Sequence, residues 1–172
     1  MKLKWIGAIL LIFSTTCIGL YLSHRLEKRP KHIRQFENAL QILEAEITYS
    51  QVPLQVAFKT LATQLPKPLN QFFHGLSIDM QKERNDFVLL WGGWVDYLAK
   101  EAGFKNNEID IIKQFGNSLG QHDFTQQQKQ IKLTLTHLDR ELEVAREEQF
   151  KYSKLAKSLG VLSGVFIALL LI

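Results

Sequence analysis

The chain has 172 residues, a single cysteine and a formal charge of +4, from 21 lysines and arginines against 17 aspartates and glutamates. One cysteine excludes an internal disulfide, and the length allows one folded domain between two apolar ends. Much of the positive surplus lies beside those ends. This placement favours membrane topology and attraction to membrane lipids over nucleic-acid binding.

The first apolar segment runs from Trp5 to Leu22, 18 residues without a charge, close to the roughly 20 that cross a bilayer. A lipoprotein signal cleaved before Cys17 is the alternative, because basic residues and an apolar run precede that cysteine. However, the apolar run continues past Cys17, and the basic stretch HRLEKRPKHIR follows it, which opposes export. We therefore predict that residues 1–23 form an uncleaved transmembrane anchor.

The middle of the chain has the apolar spacing of α-helices and no alternating strand pattern. We predict an all-α fold, a helical bundle of about six helices between an N-terminal and a C-terminal transmembrane helix. The helix boundaries are marked by prolines, capping residues and glycines: Pro30, Pro53, Pro66, Pro68, Asn85 or Asp86, Gly103, Gly120 and Asp123. Gly92 and Gly93, in the middle of the fourth helix, suggest close packing or a bend there.

The sixth helix carries apolar residues at alternating steps of four and three, which predicts coiled-coil packing, with the first helix as partner. These residues are Ile131, Leu135, Leu138, Leu142 and Ala145, and the same register continues to Gln149, Tyr152, Ala156 and Leu159. Glutamates between the apolar positions are interpreted as a solvated face: Glu44, Glu46, Glu141, Glu143, Glu147 and Glu148.

The C-terminal segment, residues 158–172, is apolar but short for a transmembrane span. Lysines precede it, and basic residues also follow the first segment, so we expect the middle, residues 24–157, to be cytoplasmic and both termini to lie outside. Gly160 and Gly164 form a G-x-x-x-G face that would allow close helix packing in the membrane. The alternative is that small residues merely occur often in such helices.

No group of residues with the spacing of a catalytic site is present. The glycines lack the lysine and serine or threonine of a phosphate-binding loop, and the five histidines have no ligand-like spacing. We expect no enzymatic activity, no cofactor or metal, no small-molecule substrate and no nucleic-acid partner.

The stretch QFGNSLGQHDFTQQQ, residues 114–128, joins the fifth and sixth helices. Gly120 suits a left-handed helix end, and Asp123 with the glutamine three residues later resembles a capping box. Two readings remain open for this corner: a tight structural turn, or a contact surface for a partner. Its candidate residues are Gly116, Leu119, Gly120, Asp123 and Gln127.

Several stretches together resemble the stage III sporulation protein AB family of endospore-forming bacteria, in order along essentially the whole chain: KRPKHIRQ, LEAEITY followed by Pro53 and Leu54, FGNSLGQHD with Gln127, and KSLGVLSG. That family is similar to the cytoplasmic helical domains of platform proteins in type II secretion and type IV pilus systems. In those proteins the corner contains a glutamate, which this sequence lacks.

The resemblance implies a non-enzymatic membrane platform or assembly component of a secretion-like channel complex between mother cell and forespore. It would lie in the outer forespore membrane, with the middle domain facing the mother-cell cytoplasm. The expected partners are a secretion-type ATPase, other membrane subunits of the sporulation channel complex, and membrane lipids. The alternative function is a membrane-tethered helical adaptor or sensor domain unrelated to transport.

Overall fold

The computed structural model describes residues 2–47, 52–82, 86–119 and 124–171, and within these ranges it has seven α-helices and no strand. The helices are α1 Lys2–Leu26, α2 Lys28–Ala45, α3 Leu54–Gln64, α4 Leu69–Asp79, α5 Phe87–Ala102, α6 Asn106–Ser118 and α7 Phe124–Leu171. The predicted all-α helical bundle is therefore confirmed. The predicted sixth helix and C-terminal segment form one continuous helix, α7.

Local signals set most of the helix boundaries. The Asp86 carboxylate accepts a hydrogen bond from the Val88 N–H at 3.0 Å and caps α5. Gly103 ends α5 with φ of 74°, a left-handed conformation that glycine adopts without a Cβ penalty. Pro53 directly precedes α3. The predicted boundaries at Gly120 and Asp123 lie outside the described residues.

The chain divides into two compact units. The terminal helix pair comprises Met1–Lys28 and Val144–Ile172, and the helical domain comprises Arg29–Glu143. The predicted cytoplasmic segment, residues 24–157, was drawn where charged sequence gives way to apolar sequence. The compact domain is defined by packing and is shorter at both ends.

An aromatic cluster fills the core of the helical domain. Its members come from α2 to α6: Phe36, Phe58, Phe72, Phe73, Phe87, Trp91 and Phe115. The ring centroids of Phe72 and Trp91 are 5.2 Å apart in an edge-to-face arrangement, a preferred geometry for aromatic pairs. The Trp91 indole N–H donates to the Ile112 carbonyl at 2.8 Å, so its one polar group is satisfied. Trp91 is therefore a core residue.

The apolar stripe of α7 keeps the predicted spacing only in part. Ile131, Leu138, Leu142 and Ala145 are buried, and residues of α2 and α7 line a shared groove in the helical domain. Further along, Tyr152 and Leu159 are 48% and 63% exposed, so the extension of the heptad register to these residues is wrong. The buried positions there include Gly164 and Ala168 instead. A spacing of four places small residues along one face, which suits close backbone contact.

Candidate interaction surfaces

The predicted corner begins in the core of the domain. Gly116 is buried, and a Cβ atom there would overlap the indole ring of Trp91. The missing side chain therefore makes room for a tryptophan of the same chain rather than for a partner. Leu119 is also buried, at 4% exposure, while Gly120 and Asp123 lie outside the described residues. At Gly116 and Leu119 the corner serves internal packing.

Gln127 is the remaining corner residue, and it lies in the first turn of α7. Its side chain is half-buried, as is that of the next residue, Gln128. A half-buried amide at a helix start keeps part of its hydrogen-bonding capacity for a partner. Of the predicted corner residues that the structure describes, Gln127 is the one with a partly accessible side chain.

In the helical domain, the glycines that permit close packing are not the two expected in the fourth helix. A Cβ at Gly92 or Gly93 would meet no atom within 4 Å, so the expectation of close packing at these residues is wrong. Gly75 in α4 has this role instead, because a Cβ there would overlap the Trp94 ring. The sequence shows which glycines interrupt a helix, but not which of them face an aromatic ring.

An apolar groove of about 690 Å³ lies between α4 and α5, and Trp94 forms part of its wall. The Trp94 indole N–H donates to the Asp79 carboxylate at 3.0 Å, and the Lys82 ammonium donates to the other carboxylate oxygen at 2.8 Å. Both hydrogen bonds favour the ionised carboxylate. They hold the pKa of Asp79 below its ordinary value of 3.8, with Lys82 the larger cause.

A buried ionic cluster joins three helices of the domain. The Arg29 guanidinium, at the start of α2, donates from Nε to Glu108 Oε1 at 2.8 Å, and its Nη2 lies 3.7 Å from Glu141 Oε2. Glu108 also accepts a hydrogen bond from the Lys105 N–H at 2.8 Å and so caps α6. The Asn107 amide lies 3.4 Å from both Glu141 carboxylate oxygens. One arginine thus links α2, α6 and α7.

This cluster contradicts one sequence interpretation. Glu141, which was assigned to a solvated face, is only 3% exposed. Buried carboxylates are tolerated where they are paired and hydrogen bonded, and Arg29 supplies the charge. The helical period places Glu141 beside the buried Leu138 and Ala145. The sequence does not show the partner that makes burial of this carboxylate tolerable, because Arg29 is more than 100 positions away.

Within the terminal helix pair, α1 and α7 approach at backbone distance. A Cβ at Gly160 would lie 3.0 Å from the Thr15 carbonyl oxygen and 3.2 Å from the Gly19 Cα. One turn after Gly19 on α1 and two turns before Gly160 on α7, the hydroxyl groups of Ser23 and Ser153 are hydrogen bonded at 2.5 Å. Gly160, singled out for membrane packing, therefore lies against α1 of its own chain. Gly164 is buried, on the same face of α7.

The outer surface of this pair is apolar. Its exposed side chains include Leu10, Phe13, Ile18 and Tyr21 on α1, and Leu159, Leu162, Phe166 and Leu169 on α7, each more than half exposed. Among the described residues one helical stretch, Gln126–Leu169, is long and apolar enough to cross a bilayer, and most of its apolar part is unburied. The described residues of the chain as a whole contain no cluster of histidine, cysteine or carboxylate side chains that could hold a metal ion.

Comparisons with known proteins agree on one family. The family model described as stage III sporulation protein AB matches residues 4–172. Stage III sporulation protein AB of Bacillus subtilis (strain 168) is 38% identical over 169 residues, which cover 98% of this chain and 99% of that protein. A solved structure of a stage III sporulation protein AB matches with a TM-score of 0.66 and 38% identity, over 72% of this chain and 98% of the solved one.

The family model matches nearly the whole chain, and the relative is 38% identical over 98% of it. The chain therefore belongs to the stage III sporulation protein AB family.

Proposed function

We propose that this protein is a non-enzymatic membrane platform, an assembly component of a secretion-like channel complex that acts in endospore formation between mother cell and forespore. The observation that carries the proposal is the way the terminal helix pair packs. Small or polar residues such as Gly19, Ser23 and Gly160 lie between its helices, and large apolar side chains lie on the outside, which is the reverse of a water-soluble protein. Water penalises this arrangement, whereas a bilayer favours it.

The orientation follows from the charges that flank the pair. Arginines and lysines follow the apolar part of α1, and Lys151, Lys154 and Lys157 precede the apolar end of α7. Positive flanks stay on the cytoplasmic side, so the helical domain faces the cytoplasm and both termini lie on the far side. In a sporulating cell we assign the domain to the mother-cell side of the outer forespore membrane, as the family resemblance implies.

A structural rather than a catalytic role fits the ionisable groups of the domain. Glu108 and Glu141 are paired with Arg29, and Asp79 is paired with Lys82 and Trp94. These three carboxylates take part in contacts between helices of the domain: Glu108 and Glu141 through Arg29, and Asp79 through Trp94. The expected partners are a secretion-type ATPase and other membrane subunits of the channel complex.

Membrane topology can be tested by cysteine labelling. In a Cys17→Ser background, Gln114→Cys places a thiol on an exposed position of the helical domain. We expect it to resist a membrane-impermeant maleimide in intact cells and to react after lysis. A cysteine appended after Ile172 should show the opposite pattern. Labelling of Gln114→Cys in intact cells would refute the orientation.

Partner binding can be tested at Gln127. Gln127→Ala should reduce capture of the secretion-type ATPase from sporulating cells and lower spore yield, while thermal unfolding stays within about 0.5 kcal/mol of wild type. Gln128→Ala is the matched control, because it removes the same half-buried amide one position further along α7. Equal effects of the two variants would remove Gln127 from the contact. Normal spore yield without the whole protein would favour the membrane-tethered adaptor or sensor.

A further inference from the structure

A pocket of about 680 Å³ lies in the terminal helix pair, beside the end of α1. Its charged lining residues are Arg146, Lys154 and Lys157 on α7 and Glu27 beyond α1, and the exposed ring of Phe150 lies among them. Three cations against one carboxylate leave an excess of two positive charges. We refer to this site as the basic pocket.

The cations of the basic pocket are only partly neutralised by the protein. Among the residues that the structure describes, none of the three forms an ion pair. Lys154 and Lys157 have no acidic residue three or four positions away on α7, which are the positions that could pair with them along a helix. Glu27 is already hydrogen bonded to His24 at 3.2 Å. Glu27 thus balances at most one of the three cations, and an excess of two positive charges remains in the pocket.

The pocket stands at the boundary between charged and apolar sequence. Lys157 is the last charged residue of the chain, and α7 continues from it as an uninterrupted apolar helix. Lys154 and Lys157 are about 4.5 Å apart along the helix axis at 1.5 Å per residue. If the apolar part lies in the bilayer, both ammonium groups lie at the depth of the lipid phosphates, where lysine side chains extend readily.

We propose that the basic pocket binds the phosphate of an anionic phospholipid headgroup, with the ammonium groups of Lys154 and Lys157 as its ligands. Arg146, roughly 16 Å further along the helix, adds positive potential at the cytoplasmic end of the pocket. Hydrogen bonds from ammonium groups to phosphate are charge-assisted and strong. The proposal rests on the membrane placement of the terminal helix pair, and it adds a defined lipid site to that placement.

Lys151 allows this site to be distinguished from general attraction to a negative surface. It lies about one turn before Lys154 on α7 but does not line the pocket, and its ammonium lies 5.8 Å from the centre of the Tyr152 ring. At 3.6 residues per turn it is about 140° around the helix from Arg146, whereas Lys157 is about 20° away. A diffuse electrostatic effect would be comparable for Lys151 and the pocket lysines, because Lys151 is only about 4.5 to 9 Å from them along the axis, close to the Debye length.

The test uses the full chain, extracted from membranes in a mild non-ionic detergent, with bound phospholipids identified and counted by native mass spectrometry. We expect wild type to retain phosphatidylglycerol or cardiolipin in preference to phosphatidylethanolamine. The Lys154→Gln/Lys157→Gln variant should lose about 25-fold in affinity for anionic lipid, at about fivefold for each lysine. Lys151→Gln should behave as wild type, and Lys154→Arg/Lys157→Arg should restore retention.

Each alternative outcome overturns the assignment. Equal losses of lipid affinity in Lys151→Gln and in the single variants Lys154→Gln and Lys157→Gln would show diffuse attraction to the membrane surface. Absence of selective retention by wild type would remove the site. Binding of inorganic phosphate by delipidated protein, without retention of phospholipid, would assign the pocket to a soluble anion. Resistance to carbonate extraction is measured in parallel: release of wild type from membranes refutes the proposed membrane placement, whereas retention without bound lipid refutes the headgroup site alone.

Discussion

Glu108→Ala offers a test of the buried ionic cluster. Glu108 is fully buried and accepts hydrogen bonds from the Arg29 guanidinium and from the Lys105 N–H. Its removal leaves the 12% exposed Arg29 without its main counter-charge and α6 without its cap. Removing one partner of a buried ion pair costs about 3–5 kcal/mol. We expect about 3 kcal/mol, because Glu141 remains 3.7 Å from the guanidinium and retains part of the attraction.

The measurement is thermal unfolding of the full chain in detergent, followed by tryptophan fluorescence, since Trp91 is 1% exposed at the centre of the domain. For a domain of this size a loss of 3 kcal/mol corresponds to a decrease in Tm of about 12 °C, at about 4 °C per kcal/mol. Glu143→Ala is the control. It removes a carboxylate of the same kind from an exposed position of α7 and should change stability by less than about 0.5 kcal/mol.

A double variant separates the ion pair from other effects of truncation. Arg29→Ala combined with Glu108→Ala should be less destabilised than the sum of the two single variants, with a coupling energy of about 1–3 kcal/mol. Full additivity would mean that the two side chains do not act together. A Glu108→Ala loss below about 1 kcal/mol, or one equal to that of Glu143→Ala, would refute the role assigned to the cluster.

Three further tests address packing at two glycines, the contact between α1 and α7, and the charge of Asp79. Gly116→Ala should lower the free energy of unfolding by about 1–3 kcal/mol, because the added methyl group meets Trp91. Gly92→Ala should raise the free energy of unfolding by about 0.5–1 kcal/mol, because open space surrounds that residue. Denaturant titration measures both. With Cys17 replaced by serine, Ser23→Cys/Ser153→Cys should form an intrachain disulfide, and adding Gly160→Leu should reduce its yield, seen as a gel shift under non-reducing conditions. Asp79→Asn should be less stable than wild type above pH 3.8. The difference should shrink as the pH falls through the lowered pKa of Asp79, because the protonated aspartate loses the stabilisation that its carboxylate gains from Lys82 and Trp94. A difference in stability that is constant with pH would contradict this.

The helix boundaries could be predicted because they depend on short-range chemistry. Asp86 caps α5 through the backbone two residues on, and Gly103 ends the same helix through its own φ angle. Neither depends on the rest of the fold. The charged part of α7 is continuous because no proline or glycine occurs from Phe124 to Lys157.

The contacts that determine the sites depend on residues far apart in the sequence. Glu141 lies on the buried face of α7 and Glu143 on nearly the opposite, exposed face, but the charge that makes burial of Glu141 tolerable comes from Arg29, more than 100 positions away. Gly92 and Gly116 both lie inside helices, yet the Trp91 ring covers Gly116 and open space surrounds Gly92. Periodicity reports the face of a helix, and it carries no information about what packs on that face.

The terminal helix pair shows what this difference means for function. The sequence indicated that Gly160 would allow close helix approach, and it left the partner helix open. The structure places Thr15 and Gly19 of the same chain against Gly160, so this part of α7 is already occupied. Contacts with lipids and with other membrane subunits would then use the outer apolar side chains, such as Phe166. On this argument, bulky substitutions at Gly160 first weaken the packing of α1 against α7 within the protein itself. Any loss of cross-linking to other subunits follows from that damage.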